Sequence, residues 1–228
     1  VLVNFHGGGF CIGRHRDDAR WATTIVEAQN AVVVSVGYRL APEYPDPVAI
    51  DDGVDAVLWI WNHADEFNLD RSRIAFSGFS AGGTLSFTVA FRLDEVVLNR
   101  MPTGRIRLAG IVASYPAVDI TQTRAERKAS NHVLGHKDSV PDSIYEFLHA
   151  SCLYPQPSNL ASPYLSPGLA EEELLAAAFP DRLMTHNCEW DQLLVEAEMF
   201  QKRLRVLGKE VGGEMVPGVP CVGQAPKV

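Results

Sequence analysis

Short apolar runs and longer amphipathic stretches alternate along the first half of the chain. The apolar runs lie at residues 1–5, 31–38, 74–77 and 107–114. The stretches with apolar side chains at helical spacing lie at residues 17–29, 47–67 and 81–99. Apolar, β-branched runs of about four to eight residues are typical of buried strands, and strands that alternate with helices form parallel sheets. The pattern therefore predicts an α/β fold in which helices cover both faces of a mostly parallel sheet.

The alternation is interrupted in the middle of the chain and then returns. From about residue 119 to residue 180 the sequence is polar and rich in proline, with short helical pieces such as residues 142–150. A strand at residues 182–187, a helix at 192–207 and a weak strand at 210–216 follow. We interpret residues 1–228 as a single domain in which the polar stretch is a cap-like insertion over the sheet.

One pentapeptide has the pattern of a nucleophile elbow. Gly78-Phe79-Ser80-Ala81-Gly82 matches G-x-S-x-G, and it stands directly after a predicted strand and directly before a predicted helix. The serine of such a turn has strained backbone angles, so its neighbours must lack Cβ atoms for the hydroxyl to stand clear of the sheet. Ser80 is therefore the candidate nucleophile, although the same letters also fit an ordinary glycine-rich turn.

A second glycine-rich segment follows the first strand. His6-Gly7-Gly8-Gly9-Phe10 stands where an oxyanion loop belongs, and bare backbone N–H groups can stabilise the negative oxygen of acyl transfer. The N–H groups of Gly8, Gly9 and Ala81 are the candidate oxyanion donors. An ordinary turn is the alternative, and we interpret His6 as a packed loop residue rather than a catalytic base.

Composition narrows the class of partner. The net charge of −8 disfavours a nucleic-acid partner, because phosphate binding needs clustered lysine and arginine. The four cysteines are scattered without metal-ligand spacing and indicate reduced thiols: Cys11, Cys152, Cys188 and Cys221. We expect no metal and no cofactor.

The sequence contains no apolar run of membrane-spanning length, no signal-peptide pattern and no Ser-Lys-Leu terminus, so we expect a cytoplasmic protein. The oligomeric state stays open.

Three motifs together resemble a known family. They are HGGGF at residues 6–10, GYRLAPE at residues 37–43 with Asp51 and Asp52 downstream, and GFSAGG at residues 78–83. The chain is similar to carboxylesterases of the hormone-sensitive-lipase type, which have the α/β-hydrolase fold. The family commonly has aspartate where this chain has Phe79. The resemblance implies that Arg39, Glu43, Asp51 and Asp52 are mainly architectural.

The resemblance also implies an activity. It predicts a serine hydrolase of the carboxylesterase type that acts on a small or lipophilic ester. Because some similar fungal proteins belong to secondary metabolism, a biosynthetic setting is expected. The family acid lies in a motif that here reads Glu189-Trp190-Asp191-Gln192-Leu193, so Asp191 is the candidate that orients the base. The alternative, compatible with this role, is that Asp191 caps a helix beginning at Gln192.

The position of the base departs from the family. The usual Gly-Val-Pro-His segment here reads Gly218-Val219-Pro220-Cys221. A thiol with a pKa near 8.5 accepts the serine proton poorly at neutral pH and has no second ring nitrogen for the aspartate. Another histidine, such as His186, could replace it, but no motif supports that.

Three hypotheses therefore remain open. The first is an esterase, and the second is a binding protein, as in the plant gibberellin receptors, which resemble this family and lack the histidine. The third is an incomplete gene product, because family members carry strands before the HGGG strand and this chain begins there. On that comparison we expect the N-terminal strands to be missing.

Overall fold

The computed structural model describes residues 1–100, 106–134, 140–154 and 159–221. Its strands are β1 Leu2–Phe5, β2 Val33–Val36, β3 Ile74–Phe79, β4 Leu108–Ser114, β5 Arg182–Trp190, β6 Glu210–Gly212 and β7 Met215–Pro220. Its α-helices are α1 Ala19–Gln29, α2 Val48–Asn62, α3 Ala81–Arg100, α4 Arg124–Ser130, α5 Asp142–Cys152, α6 Glu172–Ala178 and α7 Leu194–Val206. Short 3₁₀ turns lie at Arg71–Arg73 and Pro167–Leu169.

The strands form a parallel sheet in the order β2-β1-β3-β4-β5-β6, and β7 pairs with β5 beyond the end of β6. The predicted α/β fold with a parallel sheet is therefore confirmed. The chain runs from β1 to β2 on one side and then returns to place β3 on the other side of β1. This reversal of strand order creates a crevice outside the carboxyl ends of β1 and β3.

The core lies between the sheet and the long helices. Phe5 and Phe76 on adjacent strands are fully buried and meet edge to face, with ring centroids 5.8 Å apart. Helices α2 and α3 approach closely at Gly53, where an added Cβ would lie 2.5 Å from a methyl group of Val89. The largest apolar side chains thus fix the sheet beneath the crevice.

Asp51 and Asp52, which the resemblance treats as architectural, each form an ion pair with an arginine. The Arg39 guanidinium donates to both carboxylate oxygens of Asp52, with the shortest N–O distance at 2.6 Å. These bonds hold the pKa of Asp52 below its usual range, despite partial burial that acts in the opposite direction. Asp51 lies 3.5 Å from Arg92 on α3. The first contact attaches the loop before α2 to α2 itself, and the second attaches α2 to α3.

The end of the sheet differs from the prediction. The single weak strand predicted at residues 210–216 is wrong, because β6 ends at Gly212 and β7 begins at Met215. Gly213 separates them with a φ of +94°, and an added Cβ there would lie 2.0 Å from the carbonyl oxygen of Thr185. The break redirects the chain so that β7 pairs with the last residues of β5.

The segment between β4 and β5 contains a helix that the hydrophobic pattern does not show. Helix α4 begins with a capping box in which Thr123 and Glu126 exchange hydrogen bonds. Its Arg127 is buried and pairs with Glu196 of α7 at 2.8 Å. The ion pair connects this segment to the sheet domain. Within the described ranges, no helix is long and apolar enough to cross a membrane.

Candidate active site

The crevice at the carboxyl ends of β1 and β3 brings the two glycine motifs together. Residues 6–10 leave β1, and Ser80 leaves β3, and these two strands pair in register from Leu2 with Ala75 to Phe5 with Gly78. An added Cβ on Gly7 would lie 3.0 Å from the carbonyl oxygen of Phe79. The loop after β1 therefore lies directly against the turn that carries Ser80.

Ser80 occupies a strained turn between strand and helix. Its φ is +52°, a left-handed value that is unfavourable for a residue with a side chain. The turn is held because the Ser80 N–H donates to the carbonyl oxygen of Ser114 at 2.8 Å, and the Ser80 carbonyl accepts from the Thr84 N–H at 3.0 Å. The residue stays partly exposed. The serine predicted as the nucleophile thus stands at the rim of the crevice.

Two glycines permit this turn for steric reasons. An added Cβ on Gly78 would lie 2.2 Å from the backbone of Gly82. On Gly82 it would lie 1.9 Å from the carbonyl oxygen of Phe5. Phe79, which stands where the family commonly has aspartate, is buried and meets the ring of Trp21 edge to face at 5.8 Å. Its side chain therefore anchors the turn from behind.

The loop at residues 6–10 offers backbone N–H groups. Gly8 and Gly9 have φ values of +118° and +59°. The Gly8 carbonyl accepts from the N–H groups of Cys11 and Ile12, which folds the loop tightly. Among the described residues, no hydrogen bond uses the N–H of Gly8 or Gly9. The N–H of Ala81 begins α3, where first-turn donors lack an intrahelical partner.

His6 is a packed residue beneath this loop. Its ring is buried and stacks on Tyr38, with ring centroids 4.2 Å apart. Its Nδ1 lies 2.7 Å from the Gly7 carbonyl oxygen, and the Tyr38 hydroxyl donates to the His6 carbonyl oxygen at 2.8 Å. These contacts fix the loop and keep the His6 ring buried away from the crevice surface.

Asp191 follows the end of β5 and is almost fully buried, with 3% of its surface exposed. Its Oδ1 accepts from the Leu193 N–H at 3.0 Å, and its carbonyl oxygen accepts from the Leu194 N–H at 3.2 Å. Helix α7 therefore begins at Leu194, two residues later than predicted. The carboxylate supports a turn before the helix, but the N-cap residue is Leu193 and no described side chain caps α7, so the predicted capping by Asp191 is wrong.

Asn131 holds the acid from the segment between β4 and β5. Its buried amide donates to the carbonyl oxygens of Glu189 at 2.9 Å and Asp191 at 2.8 Å. Asn131 directly follows α4, which the buried pair of Arg127 and Glu196 holds in place. Sequence reasoning missed Asn131, because a single asparagine in a polar segment gives no signal of this contact.

Cys221 lies next to the acid by strand register. Trp190 of β5 pairs with Pro220 of β7, and Asp191 and Cys221 are the residues that directly follow this pair. The Gly218 N–H donates to the Glu189 carboxylate at 2.7 Å and secures the register. The structure thus brings the predicted acid and the position where the family has histidine to the same end of two paired strands.

Tyr115 is a neighbour of these groups that the sequence did not single out. Burial raises the pKa of its hydroxyl, and the nearby thiols of Cys221 and Cys188 act in the same direction. Its ring lies 6.0 Å from that of Phe79. His186 lies on β5, where its carbonyl oxygen accepts from the Tyr115 N–H. In the described ranges no group of three or more His, Cys, Asp or Glu could hold a metal ion.

A small cavity opens one helical turn from Ser80. Its walls come from the loop after β1, the start of α2, one side of α3 and the segment between β4 and β5, including Phe10, Ile50, Thr84, Thr88, Leu153 and Tyr164. Its volume is about 50 Å³. Most of these side chains are apolar, so the cavity can hold a slim apolar group one helical turn from the strained serine.

Comparison with known proteins agrees with this geometry. A family model described as the alpha/beta hydrolase fold matches residues 2–222. Carboxylic ester hydrolase LipN of Mycobacterium tuberculosis is 34% identical over 215 residues, which are 92% of this chain and 54% of LipN. A 2-hydroxyisoflavanone dehydratase of Glycyrrhiza echinata is 27% identical over 73% of this chain and 52% of its own length. The chain spans about half the length of these two relatives.

A solved structure extends the comparison to three dimensions. Carboxyl esterase 2 from the fungus Tuber melanosporum superposes with a TM-score of 0.80 at 26% identity, covering 96% of this chain and 67% of that protein. The sheet and helices described above are therefore those of a known esterase architecture.

Proposed function

We propose that this chain, which belongs to the alpha/beta-hydrolase-fold family and within it to the hormone-sensitive-lipase type of carboxylesterases, hydrolyses carboxylic esters through Ser80. The observation that carries the proposal is the strained turn of Ser80 packed against the glycine loop of β1. Strained backbone of this kind clusters at functional sites, and here it supports the proposal that Ser80 presents its hydroxyl at the crevice.

In the proposed reaction the Ser80 oxygen attacks the ester carbonyl and forms a tetrahedral oxyanion. The N–H groups of Gly8, Gly9 and Ala81 donate to this oxyanion, and such preorganised donors each contribute about 3 kcal/mol to transition-state stabilisation. Collapse expels the alcohol, which takes the proton that Ser80 loses, and leaves an acyl group on the serine. Water then attacks the acyl-enzyme, releases the acid and returns a proton to Ser80.

The proton relay is the weak part of this mechanism. Asp191 is placed to orient a base at position 221, but the group there is a thiol. Removing the histidine of a serine hydrolase costs on the order of a millionfold in turnover, while an oxyanion hole alone retains a small activity. We therefore expect slow, Ser80-dependent turnover in this chain and much faster turnover when Cys221 is replaced by histidine.

The proposed substrate is a small or lipophilic ester. The largely apolar cavity beside Ser80 supports this, as does the cap role that we propose for residues 119–180, which contribute Leu153 and Tyr164 to the wall. No cofactor enters the proposed reaction. A biosynthetic setting, such as fungal secondary metabolism, is part of the proposal.

Burst kinetics with p-nitrophenyl acetate and butyrate test the proposal on the unaltered chain, Ser80→Ala and Cys221→His. We expect a slow release of nitrophenol that Ser80→Ala abolishes and that Cys221→His accelerates by at least about a thousandfold. Background hydrolysis by buffer and by exposed thiols is subtracted with the Ser80→Ala protein. Turnover that is equal in the unaltered chain and in Ser80→Ala would refute hydrolysis through Ser80 in the unaltered chain.

A binding protein built on the same scaffold is the second candidate, and the thiol beside Asp191 is the observation that favours it. In that case the unaltered chain shows no Ser80-dependent turnover, whereas Cys221→His acquires it. The crevice would then hold an ester or acid without cleaving it. Absence of activity in both proteins would contradict the esterase geometry itself.

A further inference from the structure

Helix α3 carries a polar stripe away from Ser80 along the cavity. Thr84, Thr88 and Arg92 follow Ser80 at intervals of four residues, and residues at this spacing lie on one face of a helix. Each step advances about 6 Å along the helix axis, so Thr88 lies about 12 Å from the start of the helix at Ser80. Thr84 and Thr88 both line the cavity. A substrate that reacts at Ser80 can therefore extend along this face.

The two threonines differ in their hydrogen bonding. The Thr84 hydroxyl donates to the carbonyl oxygen of Ala117 at 2.8 Å. Thr88 is 1% exposed, and its Oγ1 has no hydrogen-bond partner among the described residues. A hydroxyl buried without a partner costs free energy, and threonine in a helix normally avoids that cost by bonding to a carbonyl of the preceding turn. Thr88 therefore offers an unused donor and acceptor beside the cavity.

The surroundings of Thr88 favour one slim chain. The nearby walls are apolar and include Ile50, Leu85 and Leu153. A volume of about 50 Å³ holds only a few water-sized groups. An unbranched alkyl chain is the narrowest apolar group, and one that extends two helical turns along α3 from Ser80 would reach the Thr88 hydroxyl.

We propose that the cavity selects esters whose acyl chain carries a hydroxyl group several carbons from the carbonyl, and that this hydroxyl pairs with Thr88. The inference rests on the proposed function, since it takes Ser80 as the point where the carbonyl is held. The substrate hydroxyl donates to Thr88 Oγ1 or accepts its proton, and the methylenes fill the apolar walls. An unsubstituted chain would leave the Thr88 hydroxyl buried and unpaired, which is how sites built for a hydroxyl reject analogues that lack it.

The other polar groups that line the cavity are compatible with a neutral polar ligand. Asp46 and Tyr164 line it, and Arg92 lies over the Tyr164 ring with 4.6 Å to the centroid. Asp46 as a whole residue is exposed, yet its carboxyl group is shielded enough that desolvation raises its pKa to about 6, although Arg92 acts to lower it. A hydroxyl can hydrogen-bond to either form of this carboxyl group, whereas an ammonium group would need the ionised form.

The test compares matched ligands with and without the terminal hydroxyl. Initial rates are measured with p-nitrophenyl hexanoate and octanoate and with their ω-hydroxy counterparts. Calorimetry measures the binding of the corresponding amides, so that selectivity is read even if turnover is absent. The proteins are the unaltered chain, Thr88→Val, which keeps the side-chain shape, and Ser86→Ala. Ser86 is a matched control because it is a buried hydroxyl on the same helix that already donates to the Gly82 carbonyl oxygen and does not line the cavity.

We expect the unaltered chain to favour one of the ω-hydroxy ligands over its unsubstituted partner by at least about tenfold. Thr88→Val should abolish this preference and improve the binding of the unsubstituted amides, while Ser86→Ala should keep the preference.

Equal binding of the two amide types would overturn the inference, as would an equal loss of binding for both amide types in Thr88→Val. Tighter binding of ω-amino amides than of ω-hydroxy amides would also overturn it, because recognition would then belong to Asp46. Selective amide binding without any Ser80-dependent turnover would refute the proposed hydrolysis and leave the subsite standing.

Discussion

The two sides of the crevice are built in different ways. The side formed by the loop after β1 and the Ser80 turn consists of backbone held by close approaches, such as the one between Gly82 and the Phe5 carbonyl oxygen. The opposite side depends on the side chains of Asp191 and Cys221, which lie at the ends of two paired strands. We propose that the first side is the oxyanion site, while the second carries a thiol where the resemblance places an imidazole.

The difference shows how differently the two kinds of construction respond to substitution. A change at a glycine of the backbone side disturbs the packing of strand and helix, so folding itself is affected. Position 221 is partly exposed at a strand end, and a different side chain there alters the chemistry with little effect on folding. Three variants test this difference, in order from the largest expected effect on stability to the smallest.

The ion pair beneath the acid gives the largest expected effect. Arg127→Met removes the cation that faces Glu196, and a buried carboxylate left without its partner costs about 3–5 kcal/mol in the free energy of unfolding. Urea unfolding of both proteins measures the loss. Arg182→Met is the matched control, since Arg182 and Glu210 form an exposed pair and should contribute little. A loss as small as that of the control would contradict a supporting role for the buried pair.

The same variant has a pH signature. Burial raises the pKa of Glu196 to about 7, although the attraction of Arg127 lowers it, so without Arg127 the pKa rises further. A carboxyl group whose folded pKa exceeds its unfolded value stabilises the fold below the unfolded pKa, and this contribution is lost as the pH rises through the folded pKa. The deficit of Arg127→Met relative to the unaltered chain should therefore be smaller at pH 5 than at pH 8. A deficit that is equal at both values would show that lost packing, rather than an unpaired charge, is its cause.

On the backbone side, Gly82→Ala should cost about 3 kcal/mol, because the new methyl group must push apart α3 and the end of β1. Thermal unfolding measures the loss. Gly212→Ala is the control, since the nearest atom to an added Cβ there is 3.9 Å away. If the two variants unfolded at the same temperature, the packing argument for the elbow would fail.

A smaller effect is expected from Asn131→Ala, which removes two hydrogen bonds to the carbonyl oxygens of Glu189 and Asp191. The loss should be about 1–2 kcal/mol. In the Cys221→His background, turnover should also fall by about tenfold, because a displaced Asp191 orients the imidazole less well. Asn159→Ala, on an exposed turn, is the control for both measurements. Unchanged turnover would restrict Asn131 to a structural role.

Much of the fold was predictable because its signals are local. The predicted helix at residues 81–99 corresponds to Ala81–Arg100, and the strand predicted at residues 107–114 corresponds to Leu108–Ser114. Buried strands and long amphipathic helices produce a characteristic spacing of apolar residues that is visible in the sequence. Helix α4 was missed because its seven residues are too short and polar for a period to be visible, and its capping box is the signal that could have revealed it.

Only the parts of the site that lie within sequence motifs were predictable. Glycine spacing indicated the turn at Ser80, since glycine is needed wherever the backbone approaches closely. The contacts of Asn131 and the unpaired hydroxyl of Thr88 arise from tertiary packing between distant segments, which no spacing records. The division of the last strand at Gly213 was likewise hidden, because a single glycine also occurs within ordinary strands.

The register between β5 and β7 has a consequence for how such proteins diverge. The bond between Gly218 and Glu189 fixes the register of β7 against β5, and this register determines which residue lies beside Asp191. A lineage can therefore exchange that one side chain, or lengthen the strand by a residue, and inherit the whole scaffold with a different chemistry. On the proposed mechanism, the glycines maintain the scaffold that members of this family share, whereas the residue at the end of β7 determines the chemistry of each member.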